Sequence, residues 1–326
     1  MRRRAALYVF LLLLHSAAAR AENAAPYREM RHVMGTVLEI IIYHDDAKEA
    51  RRLLDRGFAL AQNLDDLLSN YKPESEISRL NQRAGHGRIK VTPELYHFIA
   101  VTKQLWQKTD GAFDITIGPI MDLWKKAEKT GVPPSLRALE ESLRLVGMRH
   151  IILHESFEIE LCHKGMILDT GGIGKGYAVD EIASYLKRAG VKNALINFGH
   201  SSIYALGSPP ELHAWRLLLK FPDQEPLGIL ELKDQAFSAS DTFGRPFEIA
   251  GKKYAHLVDP KNGTPLTHRV QAVVLGPSST EAEALSKYVI LRGWKRNSML
   301  WDQTEVLRVT DNGEMERSES FPLQTR

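Results

Sequence analysis

A single cysteine, Cys162, stands among the 326 residues. That excludes an intramolecular disulfide and leaves stability to the hydrophobic core, in which Cys162 itself is expected as a small buried apolar side chain. Charge of one sign is also lacking: 43 basic residues face 40 acidic ones, for a net charge of +3. The basic residues are scattered, with no stripe that could follow a phosphate backbone, which argues against nucleic acid as a partner. No apolar run approaches the length of about 20 residues that spans a bilayer. Internal repeats, low-complexity tracts and long linkers are missing too. The two commonest phosphate-binding signatures, G-x-x-x-x-G-K-[ST] and a strand-to-helix G-x-G-x-x-G, do not occur.

The longest apolar run, Ala5 to Leu14, follows Arg2, Arg3 and Arg4 and precedes Ala17, Ala18, Ala19 and Ala21. A positive segment, a short apolar segment and a small-x-small site make up a secretory leader. Residues 1–21 are therefore expected to be a signal peptide, and 22–326 a single mature domain in the periplasm or outside the cell. No cysteine follows the run, which argues against a lipid anchor.

Periodicity predicts an α+β fold. Val37 to Tyr43 reads as a strand. Ala47 to Leu68 reads as a long amphipathic helix, and Thr92 to Lys108 as a second, opened by Thr92 as cap and Pro93 at the first position. Further helices are expected at Val179 to Ala189 and Thr280 to Leu291. Short β-like runs fall at Ile151–His154, Phe157–Leu161, Met166–Leu168, Ala194–Phe198, Trp215–Lys220, Gly228–Leu232, Gln271–Leu275 and Val306–Val309. Such irregular interleaving of strands and helices is the pattern of α+β domains.

Three clusters carry candidate chemistry. In Asp169-Thr-Gly-Gly-Ile-Gly-Lys-Gly-Tyr-Ala-Val-Asp180, four glycines stand between an apolar run and a helix. A backbone without side chains can approach a ligand and aim N–H groups at phosphate oxygens, and Lys175 adds a point charge. Read alone, the stretch fits a ligand loop and a structural turn equally well. In Gly111-Ala-Phe-Asp-Ile-Thr-Ile-Gly-Pro119, Gly111 suits a helix end, Phe113 stacking or core filling, and Asp114 a ligand contact or an Asx turn. In Tyr254-Ala-His-Leu-Val-Asp-Pro-Lys-Asn-Gly-Thr-Pro265, His256 is suited to move a proton near neutrality, with an adjacent carboxylate to fix its tautomer.

Taken in order, these clusters resemble the ApbE family of FAD:protein FMN transferases. So do Met34-Gly35-Thr36, the stretch from Ser69-Asn-Tyr71 to Leu80-Asn81, and Asn197-Phe198-Gly199. The resemblance implies a T-fold-related architecture of mixed sheets with packed helices. It further implies Mg²⁺-dependent transfer of the FMN half of FAD to a Ser or Thr hydroxyl in a flavinylation motif of a partner redox protein, with release of AMP. A membrane-bound acceptor would bring peripheral membrane contact. By motif position, Met34, Tyr71, Ala112, Phe113, Asp114, Asp169, Lys175 and Leu257 fall along the FAD site, and His256 falls on the base.

Gly172 supplies a backbone carbonyl to the expected metal. The family's A-D-A-L-[SA]-T reads here Ala282-Glu-Ala-Leu-Ser-Lys287, so Glu283 keeps a carboxylate while Lys287 replaces an oxygen ligand with a cation that cannot coordinate. Four residues apart on a helix, Glu283 and Lys287 can pair with each other. Either the Lys287 ammonium takes the metal's place, or Lys287 points elsewhere and Ser286 or water supplies the missing oxygen. Two alternatives to transfer follow: a non-catalytic FAD-binding protein and an FAD pyrophosphatase.

Overall fold

The computed structural model describes residues 10–11, 25–220, 225–294 and 302–324. Its backbone is an eight-stranded sheet in which every neighbour is antiparallel. In chain order the strands are β1 Ala25–Val33, β2 Thr36–His44, β3 Ala194–Phe198, β4 Ser202–Leu206, β5 Gln235–Asp241, β6 Val270–Gly276, β7 Glu305–Thr310 and β8 Met315–Arg317. Their order in space is the same as in the chain, so the sheet is a meander into which the helices are inserted. The β1–β2 hairpin closes on Met34 and Gly35, both with positive φ, the geometry of a two-residue turn whose twist matches its strands.

Alternation along each strand sorts the two faces. From β2, Leu38, Ile40 and Ile42 join the main core beneath the helices, while Ile41 joins Phe237, Val273, Leu275, Trp215 and Leu230 on the opposite face. That opposite face is covered by a four-stranded sheet of Phe10–Leu11, Trp215–Leu219, Gly228–Leu232 and Leu323–Gln324. The rest of the expected leader lies outside the described residues.

The helices are α1 Ala47–Leu68, α2 Glu76–Gln82, α3 Pro93–Lys108, α4 Gly118–Thr130, α5 Leu136–Leu143, α6 Gly174–Arg188 and α7 Ser279–Arg292. Thr92 caps α3 by accepting from the Leu95 N–H, with Pro93 at the first turn, as predicted. Gly111, at φ +72°, closes the end of α3 through its N–H to the Trp106 carbonyl at 2.9 Å. Helix α7 packs Ala282, Leu285 and Val289 on Val270, Ala272 and Val274 of β6.

Three expectations are corrected. Helix α6 begins at Gly174, inside the glycine cluster, five residues before Val179, because packing on α7 outweighs the low helix propensity of glycine. Met166–Leu168 is not a strand; its backbone groups are held by side chains instead, with Leu168 N–H donating to Asn81 and the Leu168 carbonyl accepting from Asn70 and Asn81. Cys162 is partly exposed rather than buried.

Candidate active site

The glycine loop, Asp169 to Gly174, is clamped from both ends. Asn70, just past α1, accepts from Thr170 N–H and Oγ1, and Thr170 Oγ1 also donates to the Leu68 carbonyl at 2.6 Å. Asp169 Oδ1 accepts the Gly171 N–H at 2.9 Å. The Ile173 and Gly174 amides both donate to the Thr170 carbonyl. These amides therefore already have acceptors within the protein, so the loop's pull on an anion falls more on side chains than the sequence implied.

Those side chains come from the seam between α6 and α7. Asp180 on α6 accepts four hydrogen bonds from the start of α7: Ser278 Oγ, Ser279 N–H, Thr280 N–H and Thr280 Oγ1. A carboxylate there also complements the helix dipole. The two backbones run so close that a Cβ added at Gly176 would lie 2.6 Å from the Ser279 carbonyl oxygen. With that spacing fixed, Glu283, 1% exposed, accepts from the Gly176 N–H at 2.9 Å, Ser202 Oγ at 2.6 Å and Lys175 Nζ at 3.2 Å. Burial opposes its ionisation, but Lys175, Lys287 and the two hydrogen bonds outweigh burial and hold its carboxyl below the ordinary range.

The Glu283–Lys287 ion pair does not form. Among the described residues, the carboxylate's ion partner within 4.0 Å is Lys175, reached across the helix seam. Lys287 instead extends over the glycine loop, its Cε 3.9 Å from the Cβ position of Gly172, where Phe113 Cε2 stands at the same distance. Desolvation, only partly offset by Glu283 and reinforced by Lys175, lowers the Lys287 ammonium to about 8.

His256 completes this side. Its residue keeps an open edge to solvent, yet the protein packed about the ring, with Lys287 and Arg245, pushes its pKa down, while Asp241 and the Thr242 backbone pull the other way. The ring thus favours the neutral, proton-accepting form near pH 7. Asp259 does not orient it: that carboxylate is taken by both terminal nitrogens of Arg292, at 2.6 and 2.7 Å. Leu257 packs on the α7 core beside it.

The other predicted residues divide between the core and an open groove. Ala112 and Phe113 are buried. Asp114 is buried as well, its Oδ1 accepting from Thr116 N–H and Oγ1, so it closes an Asx turn, and burial raises its pKa. Met34 sits at its hairpin tip, against the main core. Tyr71 is 89% exposed and, with Asn70, Asn81, Lys164, Ile167 and Asp169, lines a groove of about 620 Å³ that meets the glycine loop at Asp169. Sequence reasoning gave no role to Asn70, Asn81, Asp180 and Ser202, although the first three lie within the motifs quoted for the resemblance.

The expected magnesium can be tested against these donors. Both Glu283 oxygens already accept, an ammonium stands beside the Gly172 carbonyl's loop, and Ser286 Oγ turns to the sheet, bonding Ser240 Oγ at 2.8 Å and donating to the Glu283 carbonyl. Among the described residues no group of three His, Cys, Asp or Glu side chains is placed to hold a metal. Magnesium requires near-octahedral oxygen ligands at about 2.0–2.1 Å. The residues present do not fit it.

A three-layer α+β frame thus carries a glycine loop with Lys287 extended over it and Lys175 turned to Glu283 across the helix seam. The ApbE family model matches residues 34–309, and the chain belongs to the ApbE family. It is 32% identical to a Klebsiella pneumoniae FAD:protein FMN transferase over 248 residues, covering 74% of this chain and 75% of that protein. To the Vibrio cholerae FAD:protein FMN transferase it is 29% identical, covering 84% of each. Among solved structures, the Vibrio cholerae flavin transferase ApbE superposes with a TM-score of 0.79 at 26% identity, covering 92% of this chain and all of the other. The Thermotoga maritima ApbE protein, at a TM-score of 0.81 and 23% identity, over 92% of this chain and all of its own, shares the fold.

Proposed function

We propose that this chain is an FAD:protein FMN transferase that modifies a Ser or Thr hydroxyl of an exported or membrane-bound redox protein. The observation that carries the reading is convergence: the glycine loop, Lys175, Lys287 and His256 come from three separate stretches of chain to one place, in a fold shared with flavin transferases. In this reading the diphosphate of FAD lies on the glycine loop under the lysines, and the flavin ring extends into the groove beside Tyr71.

The acceptor oxygen bonds to the phosphorus of the FMN half, the P–O bond to the AMP phosphate breaks, and AMP leaves with the electron pair. The hydroxyl proton passes to His256. Phosphoryl transfer asks little of a protein beyond alignment and charge neutralisation, which is what this set of groups supplies. The predicted leader places the reaction outside the cytoplasm, with acceptors there. Magnesium, expected from the resemblance, is left out of this reading because the donors do not fit it.

The unfit metal site favours one second reading, a protein that holds FAD without cleaving it. Incubation with FAD and a Ser/Thr flavinylation peptide separates the possibilities by product. AMP with FMN-peptide supports transfer, AMP with free FMN indicates a pyrophosphatase, and intact bound FAD indicates a carrier.

A further inference from the structure

Beside the glycine loop, Lys287 lacks a close carboxylate. Asp241 is matched by Arg269 at 2.8 Å and Glu283 by Lys175 at 3.2 Å, while Lys287 has no carboxylate within ion-pair distance among the described residues. An ammonium beside a buried region needs a counter-charge or it is costly to keep. Glu283, one turn away, offsets the burial of Lys287 only in part, and the Lys287 Cε stands 3.9 Å from the Cβ position of Gly172. A diphosphate diester is negatively charged and would give the Lys287 ammonium the counter-charge it lacks at close range.

From this we infer that Lys287 supplies the positive charge for the diphosphate of FAD in place of a divalent ion, so that nucleotide binding by this chain is independent of metal. The inference rests on the FAD reading above and deepens it. An ammonium offers three N–H donors and a full charge, enough to neutralise and orient phosphate oxygens. It has no coordination sphere to fill, so it tolerates the saturated Glu283 that a metal would have to recruit. The Lys287 position is also fixed: it lies one turn beyond Glu283 on a helix whose start is held by Asp180.

The test is an equilibrium titration of the purified mature protein with FAD, once in EDTA and once in excess Mg²⁺. It compares the wild type with Lys287→Thr and Lys287→Arg, and thermal melts verify folding. The wild type is expected to bind with the same Kd in both buffers. In EDTA, Lys287→Thr is expected to lose about tenfold to a hundredfold, the range for a lost charged hydrogen bond. Lys287→Arg, which keeps the charge, should lose less. Recovery of Lys287→Thr by Mg²⁺ would show that the ammonium and the ion are alternatives for one place. Wild-type binding that requires Mg²⁺, or a Lys287→Thr protein that binds as tightly in EDTA as the wild type, overturns the inference and leaves the FAD reading standing. Folded proteins that bind no FAD in either buffer overturn the FAD reading, and the inference with it.

Discussion

Across the glycine loop, two regions meet that are built in opposite ways. In the seam between α6 and α7, Glu283 has three donors, Asp180 has four, and Gly176 leaves no room for a methyl group. On the other side, Tyr71 is 89% exposed on a short loop, lining an open groove. The seam fixes charge in position before any ligand arrives, which is how a site stabilises a phosphate without reorganising. The groove offers an uncovered aromatic face, suited to a planar ring. Substitutions in the seam should therefore change stability and chemistry together, and those in the groove should change ligand affinity alone.

The largest effect is expected at His256, which lies outside the seam. His256→Gln should lower the transfer rate about a hundredfold to ten-thousandfold, the usual contribution of a positioned base, with little change in the melt. Because the His256 pKa is depressed, the wild-type rate should fall as pH drops through a value under the ordinary 6.5, where the ring gains its proton, and should be level above it until Lys287 begins to lose its proton near pH 8. A rate that falls on raising the pH from 6 to 7 would contradict the assignment. Gly176→Ala comes next: its methyl meets the Ser279 carbonyl at 2.6 Å, and overpacking of this kind costs about 1–3 kcal/mol, read by chemical denaturation. The separation of the helices should also displace Glu283, so FAD affinity should fall in parallel.

Asp180→Ala removes the carboxylate that reinforces the Ser278 cap at the start of α7 and should cost about 0.5–2 kcal/mol by the same measurement. A neutral result would mean that α7 is held by its contact with β6 alone. Tyr71→Ala is the smallest in stability, within about 0.5 kcal/mol, as for other exposed side chains. Its effect on FAD should be about threefold to tenfold in Kd, the worth of one aromatic contact. Should Tyr71→Ala destabilise the fold, or Gly176→Ala spare it, the contrast between the two regions would be lost.

Much of this site was legible in the sequence, at the level of segments. The span of α1 and the Thr92-Pro93 start of α3 followed from apolar spacing and capping chemistry. The glycine loop, Lys175 and His256 stood out by residue type, and the Lys287 substitution only against the motif of the family the chain resembles. What stayed hidden was pairing across the chain. The i,i+4 rule joined Glu283 to Lys287, but tertiary contact gave Glu283 to Lys175, which is 108 residues away. Met166–Leu168 has the composition of a strand, yet Asn70 and Asn81 take its backbone bonds, which no periodicity encodes. The start of α6 was placed late because propensity penalises glycine, while close approach to Ser279 demands it. The order of the eight strands was likewise out of reach, because β2 and β3 are neighbours separated by the whole stretch from α1 to α6.

The most direct test of the charge-fixing seam is a crystal structure of the mature protein with FAD, grown in EDTA. The account predicts the diphosphate over Gly172, with Lys287 Nζ within hydrogen-bond distance of a phosphate oxygen and Glu283 still held by Gly176, Ser202 and Lys175. A diphosphate bound elsewhere, or Lys287 turned from it, would contradict the account.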